Sequence, residues 1–282
     1  MSLTTANPPL PDYANPPVVE TVLGVQFDRL PGFTNAHLGA FWQTLDPVEW
    51  PAVADAPYLP PQFERFNEAE RWARGLQFQL SPMPPGRTQI KNRSGDRMIQ
   101  IQNGRLHFNW LGEVGRDYPR YEAVRAGFVE ALERFRSFAL QASVGRFQPN
   151  QWEVTYINHV PKGTVWNSVA DWTFFVPLQG VPTIDGVVQG EDFKGEWHFV
   201  IPEQRGRLHI EWQHALRAVP EQHEREIIQL TLTARGPLES KDDSIQPILD
   251  GLDLGHETIV RAFASLMSRD ANKHWGLKNA GN

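Results

Sequence analysis

Hydrophobic positions along the chain fall into short β-rich blocks and longer stretches of helical period. Residues 18–27 (VVETVLGVQF) are β-branched and apolar and predict a first strand. Thr34 is placed to cap a short amphipathic helix carrying Leu38, Phe41, Trp42 and Leu45. A proline-rich loop is expected over 46–62, and one further helix over 63–73. Residues 98–102 and 105–111 read as strands joined through Asn103-Gly104, the dipeptide that a type I′ hairpin turn prefers. From Pro119 to about Leu140 the positions Tyr121, Val124, Phe128, Leu132 and Phe135 recur every three or four residues, which predicts a long helix with one face on the sheet.

After Pro149 the pattern starts again. A strand is predicted at 151–160 (QWEVTYINHV), a short helix from Thr164 with Trp166 and Val169, and strands at 196–201, 207–216 and 226–234. Ser244 then caps a closing helix through Met267, whose apolar face carries Ile248, Leu252, Ile259 and Phe263. The chain is thus expected to be α+β, with two similar halves at 16–147 and 148–270. Each half would be an antiparallel sheet with a long packed helix, in the order strand, helix, four strands, helix. Residues 1–15, rich in proline, read as an extended or disordered tail, and 271–282 as a C-terminal tail. A local echo supports duplication: GRLHFNW at 104–110 and GRLHIEW at 206–212 share G-R-L-H-apolar-x-W.

Composition narrows the function classes. Zero cysteines exclude disulfides, thiolate metal sites and cysteine nucleophiles, and point to a reducing cytoplasm. No run approaches 18 apolar residues, and the first ten residues lack a signal-peptide pattern, so no membrane association is expected. A net charge of −6 argues against a chain-wide affinity for nucleic acid. The basic stretch Arg87, Lys91, Arg93, Arg97 and Arg105 has no interleaved aromatics to stack bases, and the ten tryptophans read as core or interface anchors.

Dinucleotide, Walker A, serine-hydrolase and HExxH signatures are all missing. No cofactor is therefore expected. His198, His209 and His214 lie on neighbouring strands, but strand alternation puts His209 and His214 on opposite faces, so no metal site is expected either. The candidate ligand-contacting set is the polar face of the echoed hairpins: Arg105 and His107 in the first copy, Arg207, His209 and Glu211 in the second. Such a row of Arg and His could grip an anionic ligand or a partner's carboxylates, whereas a plain one-sided sheet would leave it wet.

The segments NPPVVETVLGVQF, MIQIQNGRLHFNW with YPRYEAVRAGF, WEVTYINHV and HETIVRAFASLMSRDANKHWG together resemble a family of sporadically distributed bacterial proteins. The likeness runs from Asn15 to Gly276. That family has no settled activity, so it implies no catalytic residue; its patchy distribution suggests an accessory role such as defence or a toxin–antitoxin-like pairing. The element order also resembles the duplicated saddle of TATA-binding-protein-like folds, which favours binding over catalysis. The expected function is binding of a small molecule or peptide between sheet and helix or at the junction of the halves. The alternatives are a protein-partner module and, less favoured, a nucleic-acid-associated protein.

Overall fold

In the computed structural model, which describes residues 9–66, 86–113, 117–168, 171–178, 191–217, 224–238 and 244–278, the β-branched run at Val18–Phe27 forms β1, flanked on both sides by strands. In chain order there follow α1 (Asn35–Trp42), β2 (Ala52–Ala56), β3 (Arg87–Lys91), β4 (Arg97–Gln102), β5 (Arg105–Leu111) and α2 (Arg120–Gln141). Then come β6 (Pro149–Pro161), β7 (Lys194–Ile201), β8 (Gly206–Arg217), β9 (Arg225–Pro237), α3 (Gln246–Leu266) and α4 (Arg269–His274).

The nine strands among the described residues join one antiparallel sheet in the order β2-β3-β4-β5-β1-β6-β9-β8-β7. Read outward from the β1–β6 pair, each side runs the same way: the first strand of its half, the last, then the preceding ones. The echoed motifs do not follow that relation. Leu106 lies in β5, next to β1, whereas Leu208 lies in β8, separated from β6 by β9. The G-R-L-H echo therefore links strands of different rank and lends no support to a duplication.

Alternation along the strands gives the sheet two unlike faces. Leu106, Phe108 and Trp110 of β5, with Trp152 and Val154 of β6, face the long helices and are buried. α2 lies over β5 and β1, and α3 over β6 and β9. Trp152 fits beneath α3 because Gly251 and Gly255 leave room; a Cβ at Gly251 would come within 2.3 Å of the indole. Over β7 and β8 the apolar cover comes from a loop, where Phe175 stacks on Trp197 with ring centroids 5.6 Å apart.

Several elements differ from the sequence reading. The expected loop over 46–62 contains β2, whose exposed side chains give no hydrophobic pattern. Residues 63–66 have no regular secondary structure and are tied to the sheet by a bond from Glu64 N–H to Gln151, and 67–73 lie outside the described residues. The expected helix from Thr164 is a turn in which Trp166, fully buried, donates from Nε1 to the Val160 carbonyl at 2.9 Å, and Val169 lies outside the described residues. The β4–β5 hairpin forms, but only Gly104 has positive φ (108°), so the turn is not type I′. Asn103 instead clamps Leu30, accepting from its N–H at 2.9 Å and donating to its carbonyl at 3.1 Å. In the supposed tail, Tyr13 is buried and bridges Leu277, and Ser268 caps α4 by accepting from Ala271 N–H at 3.2 Å. No helix among the described residues is long and apolar enough to cross a membrane.

Candidate functional site

On the face away from the helices the polar strand positions line up across the sheet. The register sets Gln102, Arg105, Gln26 and Gln151 in one row, and Gln100, His107, Gly24, Glu153, Arg235 and Arg207 in the next. Most of these side chains are buried, because residues 57–66 run across the sheet above them. Four of the five predicted residues lie in the covered part of this face: Arg105, His107 and Arg207 are 5%, 5% and 6% exposed, and His209 is half-buried. Glu211 is the exception. It lies further along β8 and is exposed.

The counter-charges come from two glutamates that the sequence pattern does not single out. Glu153 accepts from Arg235 at 3.0 Å and lies 3.5 Å from His107 Nε2. Burial acts to raise the Glu153 pKa, but His107, which is protonated at the low pH where this carboxyl titrates, together with Arg235 and Arg105 outweighs it and holds the carboxyl down at about 2. Burial likewise acts to raise Glu64, yet the hydrogen bond with His209 and the charges of Arg235 and Arg207 keep it below the ordinary carboxylate value. Glu64 meets Arg235 at 3.0 Å and His209 Nε2 at 2.7 Å, and it is also paired with Arg207. His107 itself is pulled down to about 4 by burial and is neutral at physiological pH.

Three glutamines tie the crossing segment to the sheet through its backbone. Gln102 accepts from Leu59 N–H at 3.0 Å and donates to the Leu59 carbonyl at 2.7 Å. Gln26 does the same with Gln62, at 2.9 and 2.5 Å. Gln151 accepts from Glu64 N–H at 3.0 Å and donates to the Gln62 carbonyl. A sequence signal was present in β4 alone, where Gln100 and Gln102 recur at alternate positions of an otherwise apolar strand.

The other face holds a cleft of about 340 Å³ between the sheet, the start of α2 and the C-terminal half of α3, bounded by residues 10–13. Its walls are apolar at Val18, Ile259 and Phe263, and polar at a chain of rings. Tyr118 donates to the Tyr156 hydroxyl at 3.1 Å, and Tyr156 lies 2.8 Å from His256 Nδ1. Tyr121 stacks on the His256 ring with centroids 4.0 Å apart and planes 2° from parallel, and donates to Asp253 at 2.7 Å. Burial drives the Tyr156 pKa well above its usual value and lowers His256 to about 4. At neutral pH the phenols thus keep their protons and the imidazole is neutral. In sequence Tyr121 stood out only as part of a helix face, and the ring chain was not visible, because Tyr156 and His256 come from opposite ends of the second half.

Of the three histidines weighed as ligands, His198 and His209 approach at 2.8 Å between Nδ1 atoms, while His214 interacts elsewhere, with Glu226 at 3.3 Å. Among the described residues no group of three His, Asp or Glu side chains is placed to hold a metal ion. In the basic stretch, Arg87 donates to Gln100 at 2.6 Å, and Asp96 accepts from Asn92 at 2.8 Å within the β3–β4 turn. Fold and site together define an α+β protein built on one antiparallel sheet, with a helix-covered apolar face and a strapped polar face. No protein-family model matches the chain, and comparison with curated proteins finds no match.

Proposed function

We propose that this protein is a binding protein whose ligand occupies the cleft between the sheet and the two long helices, where the halves 16–147 and 148–270 meet at the β1–β6 pair. The observation that carries this reading is the Tyr118–Tyr156–His256 chain set beside the apolar side chains of Val18, Ile259 and Phe263. Apolar walls with a few fixed polar groups are the usual make-up of small-molecule sites. The fitting ligand has an apolar body and one hydrogen-bonding head. The strand order, which runs alike outward from β1 and β6, supports reading the halves as a saddle-like duplication with the cleft at its junction. The resemblance to sporadically distributed bacterial proteins fits an accessory binding role and assigns no residue.

Native mass spectrometry after incubation with a small-molecule extract of the host tests the reading. The full chain is expected to retain a discrete mass that Val260→Trp, which fills the cleft, abolishes. A wild-type chain that retains nothing, or a retained mass that Val260→Trp leaves unchanged, overturns it.

A further inference from the structure

The segment over the polar sheet face is held in the way a bound peptide is held. A glutamine carboxamide presents a donor and an acceptor side by side, and Gln102, Gln26 and Gln151 direct these at the backbone of residues 59, 62 and 64. Backbone contacts of this kind accept many sequences, as added strands do at a sheet edge. Specificity enters at two charged positions. At one end Arg207, Arg235 and His209 converge on the Glu64 carboxylate, whose side chain is 3% exposed. At the other, Arg105 is 5% exposed and among the described residues donates only to neutral oxygens, the Gln26 amide and the Pro60 carbonyl at 3.3 Å, while the Glu153 carboxylate acts on it through space without a hydrogen bond. Its Nε, also buried, has no hydrogen-bond partner among the described residues.

The resident segment therefore brings a carboxylate to one cationic position and only a backbone carbonyl to the other, where no carboxylate hydrogen-bonds Arg105 among the described residues. We propose that the polar sheet face is a docking groove for an extended diacidic peptide of a partner protein, which displaces residues 59–64. One carboxylate takes the place of Glu64, and a second, four residues earlier at the position of Pro60, meets Arg105. Charge-assisted pairs with arginine are about twice as strong as neutral hydrogen bonds, which gives the incoming peptide an advantage the resident segment lacks. The resident segment competes from within the chain at an effective concentration in the millimolar range, so a peptide without that advantage binds poorly.

Fluorescence anisotropy on the full chain tests this with three labelled peptides: one with the sequence of residues 59–66, the same with Pro60→Asp, and the same with Glu64→Gln. The diacidic peptide is expected to bind at least about tenfold tighter than the other two, and to speed hydrogen exchange at the amides of Leu59, Gln62 and Glu64. Glu64→Gln in the protein, which loosens the resident segment, should tighten binding of all three peptides. The exchange measurement needs no variant and stands even if that substitution impairs folding. Equal binding of the three peptides, or exchange unchanged at saturating diacidic peptide, overturns the proposal. So does a dimer of the unliganded chain that the diacidic peptide fails to dissociate, since the occupant would then be a second copy.

Discussion

His107 on β5 reaches Glu153 on β6 across the whole width of β1, with Nε2 and Oε1 3.5 Å apart. The strand between them contributes Gly24 at that level, and the imidazole occupies the space a side chain would fill: a Cβ there would come within 2.5 Å of Cδ2. A missing side chain on one strand thus lets two buried groups on its neighbours interact, and it places Glu153 within reach of both His107 and Arg235.

Gly24→Ala should accordingly destabilise the protein by about 1–3 kcal/mol, the usual cost of overpacking a filled site. In a His107→Ala background the same change should cost clearly less, because the clashing ring is gone. Urea denaturation of the four proteins in this cycle measures the coupling. Equal costs in both backgrounds would show that His107 does not fill the space.

Glu153→Gln should cost about 3–5 kcal/mol, since removing one partner of a buried charged pair leaves the other uncompensated. The arginines here are far from wet strand residues, and Arg235→Ala should fall in the same range for the same reason. Chemical denaturation measures both, with circular dichroism to confirm a folded baseline.

Stability should fall as the pH drops from about 6.5 towards 4. Burial lowers His107 and His256 from 6.5 to about 4, so within that window the unfolded chain binds protons that the folded chain does not. Each contributes of the order of 1–3 kcal/mol to this loss. Glu153, depressed from 4.5 to about 2, adds stability that is present above 4.5 and disappears below it. Melting temperature against pH should therefore have a shallower slope between 6.5 and 4 in His256→Gln; an unchanged slope would mean that this histidine titrates normally.

Two helical glycines should respond in opposite directions to alanine. Gly39 in α1 has nothing within 4 Å of a built Cβ, so Gly39→Ala should stabilise by about 0.5–1 kcal/mol through helix propensity alone. Gly251 in α3 faces Trp152, whose indole is fully buried, and Gly251→Ala should destabilise despite the same gain in propensity. Thermal melts of the two variants decide it.

Where hydrophobic period was strong, the elements were legible. β1, the β4–β5 hairpin, α2, β6, β8, β9 and α3 all lie near their expected positions, because each buries an apolar face or run that only one periodicity satisfies. β2 was not legible, since Ala52–Ala56 has almost no buried side chain and is a strand only by pairing with β3. The turn at Trp166 was misread for the opposite reason: a large apolar residue suggested a helix where the indole is anchored to a strand carbonyl. Alternation alone put Arg105 and His107, and Arg207, His209 and Glu211, on the polar side of their own strands; that both strands turn that side to one face, with Glu211 beyond the charged cluster, followed from the strand pairing.

By itself the sequence determined the α+β class, the long helices and the two-faced character of the strands, because these follow from local periodicity and from the side on which each strand turns its apolar residues. Tertiary structure alone decided that the nine described strands join one sheet and that Leu106 and Leu208 occupy strands of different rank. It also decided that Glu64 and Glu153, rather than Glu211, neutralise the arginines. Those outcomes depend on which strands pair and on what crosses above them. Such contacts join residues up to 171 positions apart, as between Glu64 and Arg235, and no local pattern encodes a separation of that length.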